Sequence, residues 1–212
     1  SHLIEKYILN LSEKNCPKIC FLPTATGDND TYIVRFYSVF TRLKCIPTHI
    51  EMFKRTINIK EHIMNQDVVF VGGGNTKSML AVWNDWGMNN ILKQAYNKGV
   101  IMSGVSAGAI CWFTSGITDS WDNQLKILPC LDFINGTCCP HYDEEPSRIP
   151  YVNKVLKDKK VSNCISIEGG TSMHFIDGEP FKNVSFKNNK NSYNVYFENN
   201  KVIQEPYSML QL

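Results

Sequence analysis

Apolar positions along the first half of the chain alternate between two rhythms. Leu3, Ile4, Tyr7, Ile8 and Leu11 recur at helical spacing and predict a helix over residues 3–12. Lys18-Ile19-Cys20-Phe21-Leu22 is a short apolar run closed by Pro23, which reads as a buried strand. Thr24 to Asp30 is a polar loop rich in N-cap residues, and Ile33, Phe36, Tyr37 and Phe40 place a helix over 32–43. A strand over 47–52 and a short helix over 59–64 follow. Asp67-Val68-Val69-Phe70-Val71 is apolar on both faces, the mark of a strand buried on both sides of a parallel sheet. Helices over 76–83 and 88–97 and a strand over 99–103 continue the alternation.

Beyond residue 106 the pattern loosens. Ala107 to Phe113 reads as a buried helix running on to about Gly116, residues 114–135 as loop, and Asn135-Gly136 as a turn. Short strands over 137–139 and 164–167 bracket a helix over 150–157. The tail, from Met173 to Phe197, has the look of antiparallel strands joined by Asn/Gly turns. The expected class is α/β: a doubly wound, mostly parallel sheet flanked by helices, with an antiparallel C-terminal extension. No repeat, low-complexity segment or linker interrupts it, so one domain is expected over 1–212. In such sheets sites lie outside the carboxyl ends of the strands.

Composition narrows the class of partner. The 212 residues are 43% hydrophobic and 20% charged, which is globular. A formal charge of +2 makes no electrostatic case for nucleic acid or an anionic membrane. No apolar run approaches a membrane span, and the N-terminus lacks the apolar core of a signal peptide. The eight cysteines include no Cys-x-x-Cys pair, and several sit in apolar runs. Reduced thiols and a cytoplasmic location are expected.

The candidate chemistry starts at Gly104-Val105-Ser106-Ala107-Gly108, a Gly-x-Ser-x-Gly between an expected strand and an expected helix. That is the pattern of a nucleophile elbow, in which a strained serine is lifted clear of the sheet. A serine nucleophile needs a base and a residue that orients the base. Of the five histidines, His141, in Cys139-Pro140-His141-Tyr142-Asp143, follows a strand end and is the expected base. Two acids compete to orient it. Glu168 ends a strand before Gly169-Gly170. Asp119 follows a helix that would carry the chain roughly 15 Å from Ser106, and Glu168 is preferred. The resulting order, Ser-His-Glu, differs from the Ser-Asp/Glu-His order of α/β-hydrolases.

An oxyanion hole needs two converging N–H groups. Ala107 offers one, and the Gly72-Gly73-Gly74 turn, through Gly73 or Gly74, is the natural source of the other. A phosphate cradle is disfavoured, because both glycine-rich phosphate motifs fail on spacing at Lys77. Cys138, Cys139 and His141 do not match zinc spacing, and Cys111 reads as core. No metal and no cofactor is expected.

Gly72-Gly73-Gly74-Asn75-Thr76, Gly104-Val105-Ser106-Ala107-Gly108-Ala109, Pro140-His141 and Ile167-Glu168-Gly169, in this order, resemble the peptidase E (aspartyl dipeptidase) family, whose relatives include cyanophycinase. The resemblance implies a class I glutamine amidotransferase-like (flavodoxin-like) fold with serine in place of cysteine, and a strand upstream of residue 1. It implies a serine peptidase with Ser106 as nucleophile, His141 as base and Glu168 as orienter. Asn75 and Arg148, the basic residue close after His141, are the candidates for touching substrate. The run Asp143-Glu144-Glu145 would repel an acidic substrate, so the aspartate preference of that family is not carried over. The expected activity is a serine exopeptidase, dipeptidase-like, acting on small peptides through an acyl-enzyme, with a homodimer as an allowed assembly. The alternatives are a non-catalytic ligand-binding module on the same fold, and an esterase or amidase using the same residues.

Overall fold

In the computed structural model, which describes residues 2–122 and 124–212, the first rhythm resolves as expected. Helix α1 (Leu3–Asn10) leads into β1 (Lys18–Leu22), a 3-10 turn over Thr24–Thr26, α2 (Asp30–Phe40), β2 (Ile46–His49), α3 (Ile59–Met64) and β3 (Val68–Val71). Then come α4 (Thr76–Asp85), α5 (Met88–Asn97), β4 (Ile101–Gly104) and a single helical turn, α6 (Ala107–Ile110). The four strands form one sheet in the order β2-β1-β3-β4, every pair parallel.

Alternation along each strand decides what covers this sheet. Ile19, Phe21 and Val68 pack on one face with Leu9 of α1 and Ile33, Phe36 and Phe40 of α2. Phe21 is fully buried there, its ring stacked on Phe36 at 4.8 Å and edge-on to Tyr32 at 5.1 Å. The intervening residues Cys20, Leu22, Val69 and Val71 point to the opposite face, and they too are fully buried. Both faces are therefore covered, as the continuous apolar runs require.

The remaining strands are β5 (Phe113–Thr118), β6 (Lys126–Pro129), β7 (Ile134–Cys139), β8 (Asn163–Ile167), β9 (Thr171–Ile176), β10 (Glu179–Ser185), β11 (Ser192–Glu198), β12 (Lys201–Pro206) and β13 (Met209–Gln211), with helix α7 (Arg148–Lys157) between β7 and β8. They build a six-stranded sheet, β12-β11-β8-β7-β5-β6, and a three-stranded one, β13-β10-β9. β5, β7 and β8 pair in parallel, while β11, β12 and β6 join antiparallel. The chain thus divides into two units, Ser1–Ala109 with the four-stranded sheet and Ile110–Leu212 with the other two. In the second unit Val152, Val155 and Leu156 of α7 pack with Cys139, Cys164 and Val195 of the sheet.

Two expectations are corrected here. The helix read over Ala107–Phe113 stops at Ile110, and Phe113–Thr118 is a strand. Its Gly116 packs so tightly on Ile110 that a Cβ there would lie 2.9 Å from that side chain. Asn135-Gly136 is not a turn but lies inside β7, with Gly136 at φ +109. The β5–β7 register shifts by one residue there, between Phe113↔Ile134 and Ser115↔Thr137. The glycine accommodates a bulge rather than a chain reversal. Among the described residues, no helix is long and apolar enough to cross a membrane.

Candidate active site

In the first unit, β3 runs into Gly72 and the parallel strand β4 ends at Gly104, and the two turns beyond them meet. Ser106 sits between β4 and α6 at φ +55, a left-handed conformation that costs a non-glycine residue energy. The turn closes through Gly108 N–H to Val105 O (2.9 Å) and Ala109 N–H to Ser106 O (2.9 Å), and neither bond uses the N–H of Ala107. The flanking glycines exist for packing. A Cβ on Gly108 would stand 2.1 Å from Val71 O, and one on Gly104 would stand 2.2 Å from Gly108 O. Only backbone fits between α6 and the end of β3.

The Gly72-Gly73-Gly74 turn after β3 lies against this serine. A Cβ on Gly73 would be 3.1 Å from Ser106 Cβ and 3.7 Å from its Oγ. Gly74, at φ +136, leaves room for Ala25 O, which accepts the Asn75 N–H at 2.8 Å. Asn75 itself is the N-cap of α4, its Oδ1 accepting the Ser78 N–H at 2.9 Å. The first unit thus brings Ser106, Gly73, Gly74 and Asn75 to one edge, with Asn75 Oδ1 holding the helix. It also adds a residue that sequence reasoning did not single out: the Tyr32 hydroxyl accepts the Gly73 N–H at 3.1 Å.

In the second unit, His141 follows the end of β7 at φ +54. Its Nδ1 is 2.7 Å from Glu144 Oε2. Glu168, after β8, uses its Oε2 to accept the Asn191 N–H at 2.9 Å, and its own N–H reaches Asn191 O at 3.3 Å. The two glutamates lie on adjoining turns, since a Cβ on Gly169 would fall 2.1 Å from Glu144 Oε1. Asp143 accepts the Gly169 N–H at 2.8 Å and pairs with Lys190. Burial pushes the Asp143 carboxyl up, but the Lys190 ammonium and the Gly169 N–H outweigh it and hold it below the usual carboxylate range. Each acid of the run Asp143-Glu144-Glu145 therefore has its own partner.

Arg148 takes the third of them. Its Nε donates to Glu145 Oε2 at 2.7 Å and its Nη1 to Ile117 O at 2.8 Å, with the side chain 4% exposed. A guanidinium so buried and committed ties α7 to β5. Asp119 lies just past the end of β5, beside Thr118 and Ser120, whose hydroxyls bond each other at 2.7 Å. Cys111 is fully buried, and burial raises its thiol well above the ordinary value, which keeps it protonated. Among the described residues no group of His, Cys, Asp and Glu is arranged to hold a metal ion.

Comparison with known proteins shows the family and the fold. The model of peptidase family S51 matches residues 1–182. The chain is 40% identical over 204 residues to the uncharacterized peptidase YgaJ of Bacillus subtilis (strain 168), covering 96% of this chain and 88% of that protein. It shares its fold with a crystal structure from Listeria monocytogenes EGD-e provisionally described as a peptidase E (TM-score 0.58, 15% identity, 95% of this chain and 93% of that one). A peptidase from an acI-B1 Actinobacterium matches similarly (TM-score 0.61, 15% identity, 97% and 87%).

Proposed function

The chain belongs to peptidase family S51 and is a serine peptidase, and from that premise we propose that it is an exopeptidase cleaving small peptides through an acyl-enzyme on Ser106. The observation that carries the assignment is the strained Ser106 turn at φ +55, pressed against Gly73. This geometry supports its reading as a nucleophile elbow.

In the proposed cycle, His141 takes the Ser106 hydroxyl proton as Oγ attacks the scissile carbonyl carbon. Negative charge gathers on the carbonyl oxygen, beside the Ala107 N–H and the glycine turn. Collapse breaks the C–N bond, and His141 returns the proton to the departing amine. Water, deprotonated by His141, then hydrolyses the ester and restores Ser106.

The role of orienting His141 was assigned from the sequence to Glu168. The 2.7 Å bond at Nδ1 supports Glu144 instead, because a carboxylate there leaves Nε2 as the acceptor that meets the serine. With Arg148 buried, an aspartate-selective dipeptidase has no support from that residue.

The test is a fluorophosphonate probe together with Ser106→Ala. Wild-type protein should be labelled at Ser106. The variant should fold, escape labelling and lose on the order of 10⁴–10⁶ in kcat on a peptide library. Near-wild-type turnover by the variant would eliminate the proposal. A labelled protein that hydrolyses esters but no peptide in the library would favour an esterase.

A further inference from the structure

The glycine turn was expected to aim an N–H of Gly73 or Gly74 at the substrate oxygen, yet the Gly73 hydrogen points to the Tyr32 hydroxyl at 3.1 Å. A phenol oxygen that accepts one hydrogen bond still has its own hydrogen to give. This hydroxyl is bonded to the N–H of the residue that lies against the Ser106 side chain. We propose that Tyr32 O–H donates to the oxyanion forming on the bound peptide, with Gly73 N–H orienting the hydroxyl rather than meeting the substrate. No bond to the tyrosine forms or breaks, and its proton stays on the phenol while charge develops on the peptide oxygen.

The ring is built into position from three sides. Its edge-on packing with fully buried Phe21 (5.1 Å, 81°) fixes the plane. Gly72 makes room for it, since a Cβ there would lie 2.8 Å from Tyr32 Cε1. The backbone is held because Asn29 Oδ1 caps α2 by accepting the Tyr32 N–H at 3.1 Å. A preorganised donor of this kind stabilises the transition state without reorganising at the moment of reaction.

The inference rests on Ser106 being the nucleophile, and the test keeps the two apart. Tyr32→Phe retains the ring and loses only the hydroxyl. It should lower kcat on the order of 10²-fold, with KM within about twofold because the donor acts on the transition state. It should weaken a peptide boronic acid, which mimics the tetrahedral state, by a similar factor while leaving binding of the product peptide unchanged. Gly72→Ala, which pushes the ring aside, should reproduce the loss, and the double variant should lose little more than either single one. If the wild type labels with fluorophosphonate but Tyr32→Phe keeps wild-type kcat and boronate affinity, the tyrosine proposal is wrong and the serine reading stands. Failure of the wild type to label overturns both.

Discussion

Glu144 and Glu168 have the same functional group on adjoining turns, and their nearest hydrogen-bond donors separate their roles. Glu144 faces an imidazole nitrogen, where in the proposed cycle its negative charge would stabilise the imidazolium formed during proton transfer. Glu168 faces a backbone N–H and so pins the segment before β11. Glu144→Gln should therefore cut kcat by on the order of 10²–10⁴ with little change in melting temperature. Glu168→Gln should lower the melting temperature and leave kcat within a few-fold. Steady-state kinetics with ¹⁵N spectra of the His141 tautomer would check this. Loss of kcat in Glu168→Gln but not in Glu144→Gln would return the orienting role to Glu168. The tight turn at Ser106 and the glycine turn against it were legible in the sequence because glycine-flanked motifs encode backbone shape. The bond between His141 and Glu144 was not, since a His-x-x-Glu spacing gains meaning only when a turn closes it. The partners of Arg148 were hidden for the complementary reason: sequence shows a charge, and only packing shows that it bonds Glu145 and Ile117 O.

At the scale of elements, the glycines around Ser106 divide into those that hold the fold and those that clear the site. Gly108→Ala drives a Cβ into Val71 O at 2.1 Å, a backbone atom that cannot step aside. It should cost about 3 kcal/mol, or some 6–12 °C in a protein of this size. Gly73→Ala meets the Ser106 side chain at 3.1 Å, a contact relieved by a shift of a few tenths of an ångström. It should fold normally and lose most of its turnover. Thermal melts beside kcat measurements decide it, and equal losses of stability in the two variants would refute the division. The helices α3 and α5 match the sequence reading to the residue because their apolar spacing is unambiguous. The one-turn α6 was overextended, since Ile110-Cys111-Trp112-Phe113 is too short an apolar run for periodicity to separate helix from strand. Gly136 was misread because Asn-Gly also suits a bulge, and the partner strand that makes it one is distant in sequence.

For the whole molecule, two buried-side carboxylates make opposite demands on pH. Burial raises the Asp28 carboxyl above its ordinary value, against the Phe53 N–H that accompanies it. The other oxygen, Oδ1, is buried without a hydrogen-bond partner. The folded state therefore favours the protonated acid, and that advantage fades as pH rises from the ordinary carboxylate value through the raised one. Asp143 is lowered, so its contribution is present above the ordinary value and lost as pH falls through the folded one. Asp28→Asn should raise the melting temperature at pH 7 by about 2–4 °C and change little below about pH 3. Lys190→Met should lower it at neutral pH and converge with wild type in the same acid range. Calorimetry across pH would test both, and an unchanged or lower neutral melting temperature in Asp28→Asn would contradict the first. The α/β class, with a parallel sheet and antiparallel C-terminal strands, was legible because buried-both-faces runs imply parallel pairing. The break into three separate hydrogen-bonded sheets was not, since it depends on which strand edges meet.

Phe21 stacks on Phe36 deep in the first unit while it also meets the ring of Tyr32 edge-on. Oil and chemistry share a wall there. A change at residue 21 that the interior tolerates, such as a smaller aliphatic chain, alters the shelf on which that phenol leans. Substitutions among these aromatics would then tune turnover from a place no substrate ever visits.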